Sequence, residues 1–160
     1  LKLLDEFYNE FLTSKNNVKI FGVLVRDVQP NEDDLKARVE NLSVDKSRVY
    51  IMGLSMGAIA TFDMVWRYPE IFAAAIPICG AADTEKIAHI KGVKWRIYHG
   101  DADDAVPVEC SRDAYKALKS AGANVEYFEF PGCKHVSWNL AFNQTGFMDW
   151  LYAQRKRRTK

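Results

Sequence analysis

Cysteine is scarce in this chain, with three among 160 residues at Cys79, Cys110 and Cys133. Three thiols leave one unpaired under any disulfide scheme, and their spacing matches no metal-ligand motif. Long apolar runs are missing too, so no stretch approaches a membrane span. Neither sign of charge dominates, since the formal net charge is +1. No signal peptide is visible: residues 1–13 are amphipathic and acidic rather than basic and then continuously apolar. The chain starts at Leu1, so a removed upstream region is expected as readily as a native start, and the compartment stays open between cytoplasm and export. Glycine is nearly absent from the first third, where Gly22 is the sole one before residue 53. With 48% hydrophobic and 27% charged residues, the composition suits one soluble domain with a core of ordinary size over 1–160.

The balanced charge hides an uneven distribution. Residues 155–160 carry five cations (Arg155, Lys156, Arg157, Arg158, Lys160), and without them the body holds 17 basic against 21 acidic residues, a net −4. A basic tail can mark a nucleic-acid or membrane patch. The simpler reading is a solvated helix end whose cations suit the negative end of the helix dipole, and neither nucleic acid nor membrane is expected as a partner.

What the chain does have is Gly53-Leu54-Ser55-Met56-Gly57, directly after the apolar run Val49-Tyr50-Ile51-Met52. Gly-x-Ser-x-Gly between a buried strand and a helix is the sequence of a nucleophile elbow, a strained turn that lifts a serine hydroxyl above a sheet edge. Glycine is expected at both flanks because a side chain two residues either side of the serine would meet the neighbouring strand or helix. Alone the pattern arises by chance in about one chain in twenty of this length. Its context is what counts. Apolar residues at 58, 59, 62, 65 and 66 keep helical spacing, and Pro69 follows as a stop. A helix starting at Met56 points free amides and a positive dipole end at the serine oxygen. The competing reading is a small residue in a tight turn.

Downstream, strands and helices alternate, the pattern of a mostly parallel sheet covered by helices on both faces. Strands are expected at 72–79, 94–99 and 125–130, and helices near 84–90, at 111–121 and at 140–154, with Phe147, Trp150 and Leu151 at core spacing in the last. No linker or repeat marks a second domain. Ligands gather beyond the carboxyl ends of strands in such sheets. There the chain places Gly100-Asp101-Ala102-Asp103-Asp104, with three carboxylates, and Pro131-Gly132-Cys133-Lys134-His135. A histidine in the second loop can take the serine proton, and a carboxylate from the first can fix its tautomer. Acidic loops more often form turns or caps, but elbow, acid and histidine fall in the chain order this chemistry uses. His89 is expected at the surface, and His99 to pack or bond beneath the acid loop. Cys79 reads as a small core residue. A Cys133–His135 nucleophilic pair is disfavoured, because near neighbours in a loop rarely face each other.

Four blocks carry a family resemblance: Gly53 to Gly57; Phe72-Ala73-Ala74-Ala75-Ile76-Pro77-Ile78-Cys79-Gly80; His99-Gly100-Asp101-Ala102-Asp103-Asp104-Ala105-Val106-Pro107; and Pro131 to Trp138. In this order they resemble the carboxylesterase branch of the α/β-hydrolases, related to dienelactone hydrolases, phospholipase/carboxylesterases and predicted peptidases of the prolyl-oligopeptidase clan. The resemblance covers about residues 35–157. It implies an α/β-hydrolase fold with N-terminal strands reduced or missing, Ser55 as nucleophile, Asp103 as the acid and His135 as the base. Asp101 and Asp104 become supporting residues, Trp138 a substrate contact, and no cofactor or metal is implied. The implied substrates are small or aryl acyl esters, with acetyl or feruloyl groups on plant polysaccharide among the candidates.

One departure stands out. Family members carry a longer region before the elbow, including a His-Gly-Gly-type loop that gives the second oxyanion amide. Residues 1–34 read as a divergent segment with a helix at 1–14 and a strand at 18–27, and no such loop is recognisable. Met56 N–H supplies one donor. Losing the other costs about a hundred- to a thousandfold in kcat. Missing strands would also expose a sheet edge and invite a homo-oligomer. The expectation is therefore a serine esterase acting through an acyl-enzyme. Its rival is a truncated, catalytically silent domain that binds or assembles.

Overall fold

The computed structural model describes residues 45–156. The described residues all belong to one compact unit. The helix expected at 1–14, the strand at 18–27 and most of the basic tail lie outside the described residues.

Among the described residues four strands and five helices occur in the order β1 (Tyr50–Leu54), α1 (Met56–Arg67), β2 (Ala74–Ile78), α2 (Thr84–Ile87), β3 (Lys94–Gly100), α3 (Val108–Ser120), β4 (Asn124–Phe130), α4 (Trp138–Phe142) and α5 (Phe147–Ala153). The strands form one parallel sheet in the order β1-β2-β3-β4. Every residue of β2 is buried, as a central strand covered on both faces requires. It carries Pro77, and the β2–β3 register pairs Ala74 with Lys94, Ala75 with Trp95 and Ile78 with Tyr98, skipping the proline, which has no N–H to give.

The two-residue period of the strands sorts the core. On one face Ala74, Ile76, Ile78 and Tyr98 pack with Phe147 and Leu151 of α5, and Tyr98 stacks on Phe128 at 5.0 Å. On the other, Phe62 of α1 stacks on Trp95 at 5.4 Å and Tyr115 of α3 on Tyr127 at 5.6 Å. Helices thus cover both faces, as the alternating pattern implies.

Two helices differ from expectation. Pro107, with φ −55°, introduces α3 at Val108, three residues before the expected start. The helix expected over 140–154 is two, because Gly146 takes a left-handed φ of 76° between them and Asn143 Nδ2 turns back to the Asn139 carbonyl at 2.7 Å. That break turns Phe147 onto Tyr98 (5.6 Å) and perpendicular to Phe142. Trp150 is half-buried rather than core, with the Arg96 guanidinium 4.5 Å above its ring. The last helix ends at Ala153, so the first tail cations do not serve a helix end: Arg155 pairs with Asp45 at 3.2 Å and Lys156 Nζ donates to the Glu70 carbonyl at 2.7 Å. Among the described residues no helix is long and apolar enough to cross a membrane.

Candidate active site

The turn from β1 into α1 is held in a conformation that L-residues avoid. Ser55 sits at φ 53°, ψ −117°, outside the allowed wells for a side chain with a Cβ. Its N–H donates to the Ile78 carbonyl at 2.9 Å, tying the turn to the end of β2. A serine before a helix ordinarily gives its oxygen to the first-turn amides, yet Ser55 makes no such cap. Its hydroxyl points to His135 Nε2 at 2.8 Å instead.

The two flanking glycines are not equivalent. A Cβ on Gly53 would run into the carbonyl of Gly57, so the first turn of α1 lies directly on the end of β1. A Cβ on Gly57 would meet nothing within 4 Å among the described residues, so the expected collision on that side is absent.

The acid and histidine loops leave the adjacent strands β3 and β4 and are stitched together. Gly132 N–H donates to Asp101 Oδ1 at 2.6 Å and Ala102 N–H to the Cys133 carbonyl at 3.1 Å. Gly100 makes this approach possible, since a Cβ there would run into that same Cys133 carbonyl. His135 then presents Nδ1 to Asp103, 2.8 Å from Oδ2 and 3.0 Å from Oδ1. A nitrogen facing a carboxylate carries the proton, which leaves Nε2 free to accept from Ser55. The Asp103 side chain is fully buried and that of His135 is 23% exposed. Burial pushes the Asp103 carboxyl up, but the amides of Val106 and Ala105 (each 2.9 Å) and the His135 ring outweigh it and hold it below its ordinary value. The carboxylate is ionised at neutral pH.

Ser55, His135 and Asp103 are thus brought into one hydrogen-bonded line. Met56 is the first residue of α1, where a backbone N–H has no intrahelical partner; its side chain is 64% exposed. Trp138 is half-buried, packs on the core cluster, and stands perpendicular to the His135 ring at 5.7 Å. Asp101 bridges the loops as a support, and Asp104 pairs with Lys134 at 3.4 Å. His89 is exposed, at the surface as expected. Cys133 Sγ faces the Lys134 carbonyl at 3.4 Å. His99 is wholly buried beneath the acid loop, with Nε2 3.0 Å from the Val106 carbonyl and Nδ1 2.7 Å from Ser111 Oγ.

Cys79 is more than a small core residue. It is buried at φ 47°, and its sulfur lies with ligand atoms of Asp103 and His135 within 4.8 Å. Those three atoms are the set nearest to a metal-binding cluster among the described residues, but both ring nitrogens of His135 already face Ser55 and Asp103. Burial pushes the Cys79 thiol up, away from the thiolate a metal needs. Its backbone conformation had no signal in the sequence beyond its place at the end of a strand.

An open parallel sheet with a strained serine after one strand, and acid and histidine loops after later ones, is the α/β-hydrolase architecture. The sequence pattern of the phospholipase/carboxylesterase family matches residues 15–146, and the chain belongs to that family. A thermostable esterase of known structure is 34% identical with a TM-score of 0.73, over 78% of this chain and 35% of its own. Esterase PE8 is 26% identical with a TM-score of 0.57, over 74% of this chain and 53% of its own. Poly(3-hydroxyalkanoate) depolymerase C of Paucimonas lemoignei is 52% identical over 48 residues, which are 30% of this chain and 11% of that enzyme. The chain therefore spans well under two thirds of each of these relatives. The family and both structural neighbours carry esterase names.

Proposed function

We propose that the chain is a serine hydrolase that cleaves carboxylic esters through an acyl-enzyme. The observation that carries this reading is the use of the Ser55 hydroxyl. It is withheld from capping its own helix and aimed at His135 Nε2 at 2.8 Å. In this reading Ser55 Oγ attacks the ester carbonyl while His135 takes its proton. The tetrahedral intermediate collapses as His135 returns that proton to the leaving alcohol. Water then repeats the cycle on the acyl-serine and releases the acid. Asp103 keeps the His135 proton on Nδ1 and stabilises the imidazolium. The Met56 N–H, at the positive end of α1, meets the developing oxyanion. Trp138 walls the acyl group beside His135. The names of the relatives, two esterases and a polyester depolymerase, agree with ester substrates.

A fluorophosphonate probe tests this, with p-nitrophenyl acetate hydrolysis alongside. Labelling that disappears in Ser55→Ala and weakens in His135→Ala is expected. A folded chain that takes no label is a silent domain instead, and the proposal fails.

A further inference from the structure

We propose that His99 is a positioning residue of the candidate triad, holding the Asp103 carboxylate in the orientation that receives the His135 Nδ1–H. The inference rests on the serine-hydrolase reading above and goes beyond it, since His99 hydrogen-bonds to Val106 and Ser111, lies against Asp103 and is fully buried beneath the acid loop. Ser111 is fully buried as well.

Three contacts define its role. His99 Nε2 lies 3.2 Å from Asp103 Oδ2, the oxygen nearer to His135. The same nitrogen lies 3.0 Å from the carbonyl of Val106, whose own N–H donates to Asp103 Oδ1 at 2.9 Å. His99 therefore meets the carboxylate twice, by close approach at one oxygen and through the hydrogen bonds of Val106 at the other. On the far side of the ring, Nδ1 is 2.7 Å from Ser111 Oγ in the first turn of α3.

The tautomer follows from the partners. Nε2 faces two acceptors, a carbonyl and a carboxylate, so it must carry a proton. Burial holds the ring below the ordinary imidazole value, against the pull of the Val106 carbonyl and Asp103. The neutral ring thus keeps its single proton on Nε2 and accepts the Ser111 hydroxyl proton at Nδ1. Ser111 Oγ also lies 3.2 Å from the Gly80 carbonyl, but its one proton goes to the nearer acceptor, His99 Nδ1 at 2.7 Å. The line Ser111, His99, Asp103, His135, Ser55 joins the first turn of α3 to the carboxyl ends of β3, β4 and β1. Without the Nε2–H, the buried Oδ2 keeps only His135 as a donor, and the carboxylate can turn about its Cβ–Cγ bond.

The test compares His99→Gln with His99→Asn in the full chain. Glutamine reaches an amide N–H to the Nε2 position, whereas asparagine, one methylene shorter, reaches only the Nδ1 position. His135 acts as base in both acylation and deacylation, so misplacing it slows both. The Asn variant is expected to lose about tenfold to a hundredfold in kcat on p-nitrophenyl acetate, with KM little changed. The Gln variant recovers most of that loss, and Ser111→Ala loses less than the Asn variant. The low-field proton resonance of the His135–Asp103 hydrogen bond should persist in Gln and shift or vanish in Asn. Equal kcat in the Gln and Asn variants, or a loss confined to KM, overturns the inference. Should circular dichroism show the Asn variant unfolded, Ser111→Ala decides: an unchanged kcat and resonance also overturns it, and a lowered kcat at constant KM upholds it. Fluorophosphonate labelling of the unsubstituted chain separates the two readings. A chain that takes no label loses the hydrolase reading itself, whereas a labelled chain with an indifferent His99→Asn loses this inference alone.

Discussion

The two halves of the candidate site are built by different means. The Ser55 half is local: one strand end, one turn and one helix start, fixed by a Gly53 whose missing side chain lets Gly57 approach. The Asp103–His135 half is assembled from two loops whose facing residues are 32 apart in sequence, held together by Asp101 to Gly132 and Ala102 to Cys133. The first stores strain in a single residue at positive φ. The second stores none in its loops' functional residues and depends on satisfied polar contacts between neighbouring strand ends. A strained local turn fails through sterics, and a stitched pair of loops fails through lost alignment, so substitutions should separate them.

The largest effect tests the stitched half at its centre. Asp103→Asn keeps the shape but leaves His135 Nδ1 without a carboxylate, so the ring is held in the wrong tautomer. Initial rates should fall about ten-thousandfold in kcat, with Asp103→Asn still folded by circular dichroism. Gly100→Ala comes next. Its Cβ would push against the Cys133 carbonyl and part the loops. A fall of about a hundredfold in kcat is expected from misplacement alone, together with about 1–3 kcal/mol of lost stability from overpacking. If Gly100→Ala lost stability while keeping full activity, the loops would be aligned by something other than this contact.

For the local half the contrast lies between its two glycines. Gly53→Ala should cost about 1–3 kcal/mol in urea unfolding, because backbone lies where the methyl would go. Gly57→Ala, in the first turn of α1 with open space around it, should be neutral or stabilising by about 0.5 kcal/mol. Equal losses at both would restore the symmetric picture that the Gly-x-Ser-x-Gly spacing suggests.

This difference also explains what the sequence could tell. The elbow was legible because its logic spans five residues and two neighbouring elements, and the strand–helix alternation follows from periodicity. Asp103 and His135 were legible by chain order and resemblance, but not their stitching. Nothing near Asp101 says that it receives the amide of Gly132, or near Gly100 that Cys133 lies against it. Cys79 reads as core, and its left-handed backbone beside the candidate triad depends on where β2 ends relative to β3. His99 could be placed under the acid loop, but its partners Val106 and Ser111 come from the far side of that loop. The break at Gly146 is not legible because a single glycine in a helical pattern is usually tolerated, while here Asn143 and Gly146 together redirect the chain.

The smallest effect tests whether the stitched half has a support outside its loops. Arg112 of α3, the helix after the acid loop, pairs with Glu129 of β4, the strand before the histidine loop, at 2.7 and 2.8 Å. Tyr127 Oη adds a third bond to that carboxylate at 2.6 Å. The Arg112 guanidinium, with the tyrosine hydroxyl, holds the Glu129 carboxyl down from 4.5 to about 2. Between those values the unfolded chain binds a proton that the folded chain refuses, so stability present above about pH 4.5 is lost as pH falls toward 2. The Arg112 side chain is 38% exposed, and solvent screening reduces the contribution to about 1 kcal/mol. Unfolding free energies from urea titrations at pH 5 and pH 3 should therefore differ less in Glu129→Gln than in the native chain, by roughly that amount. A Glu129→Gln variant with the native acid slope would place the junction of α3 and β4 elsewhere, leaving the two loops to hold the acid and histidine together by their own contacts.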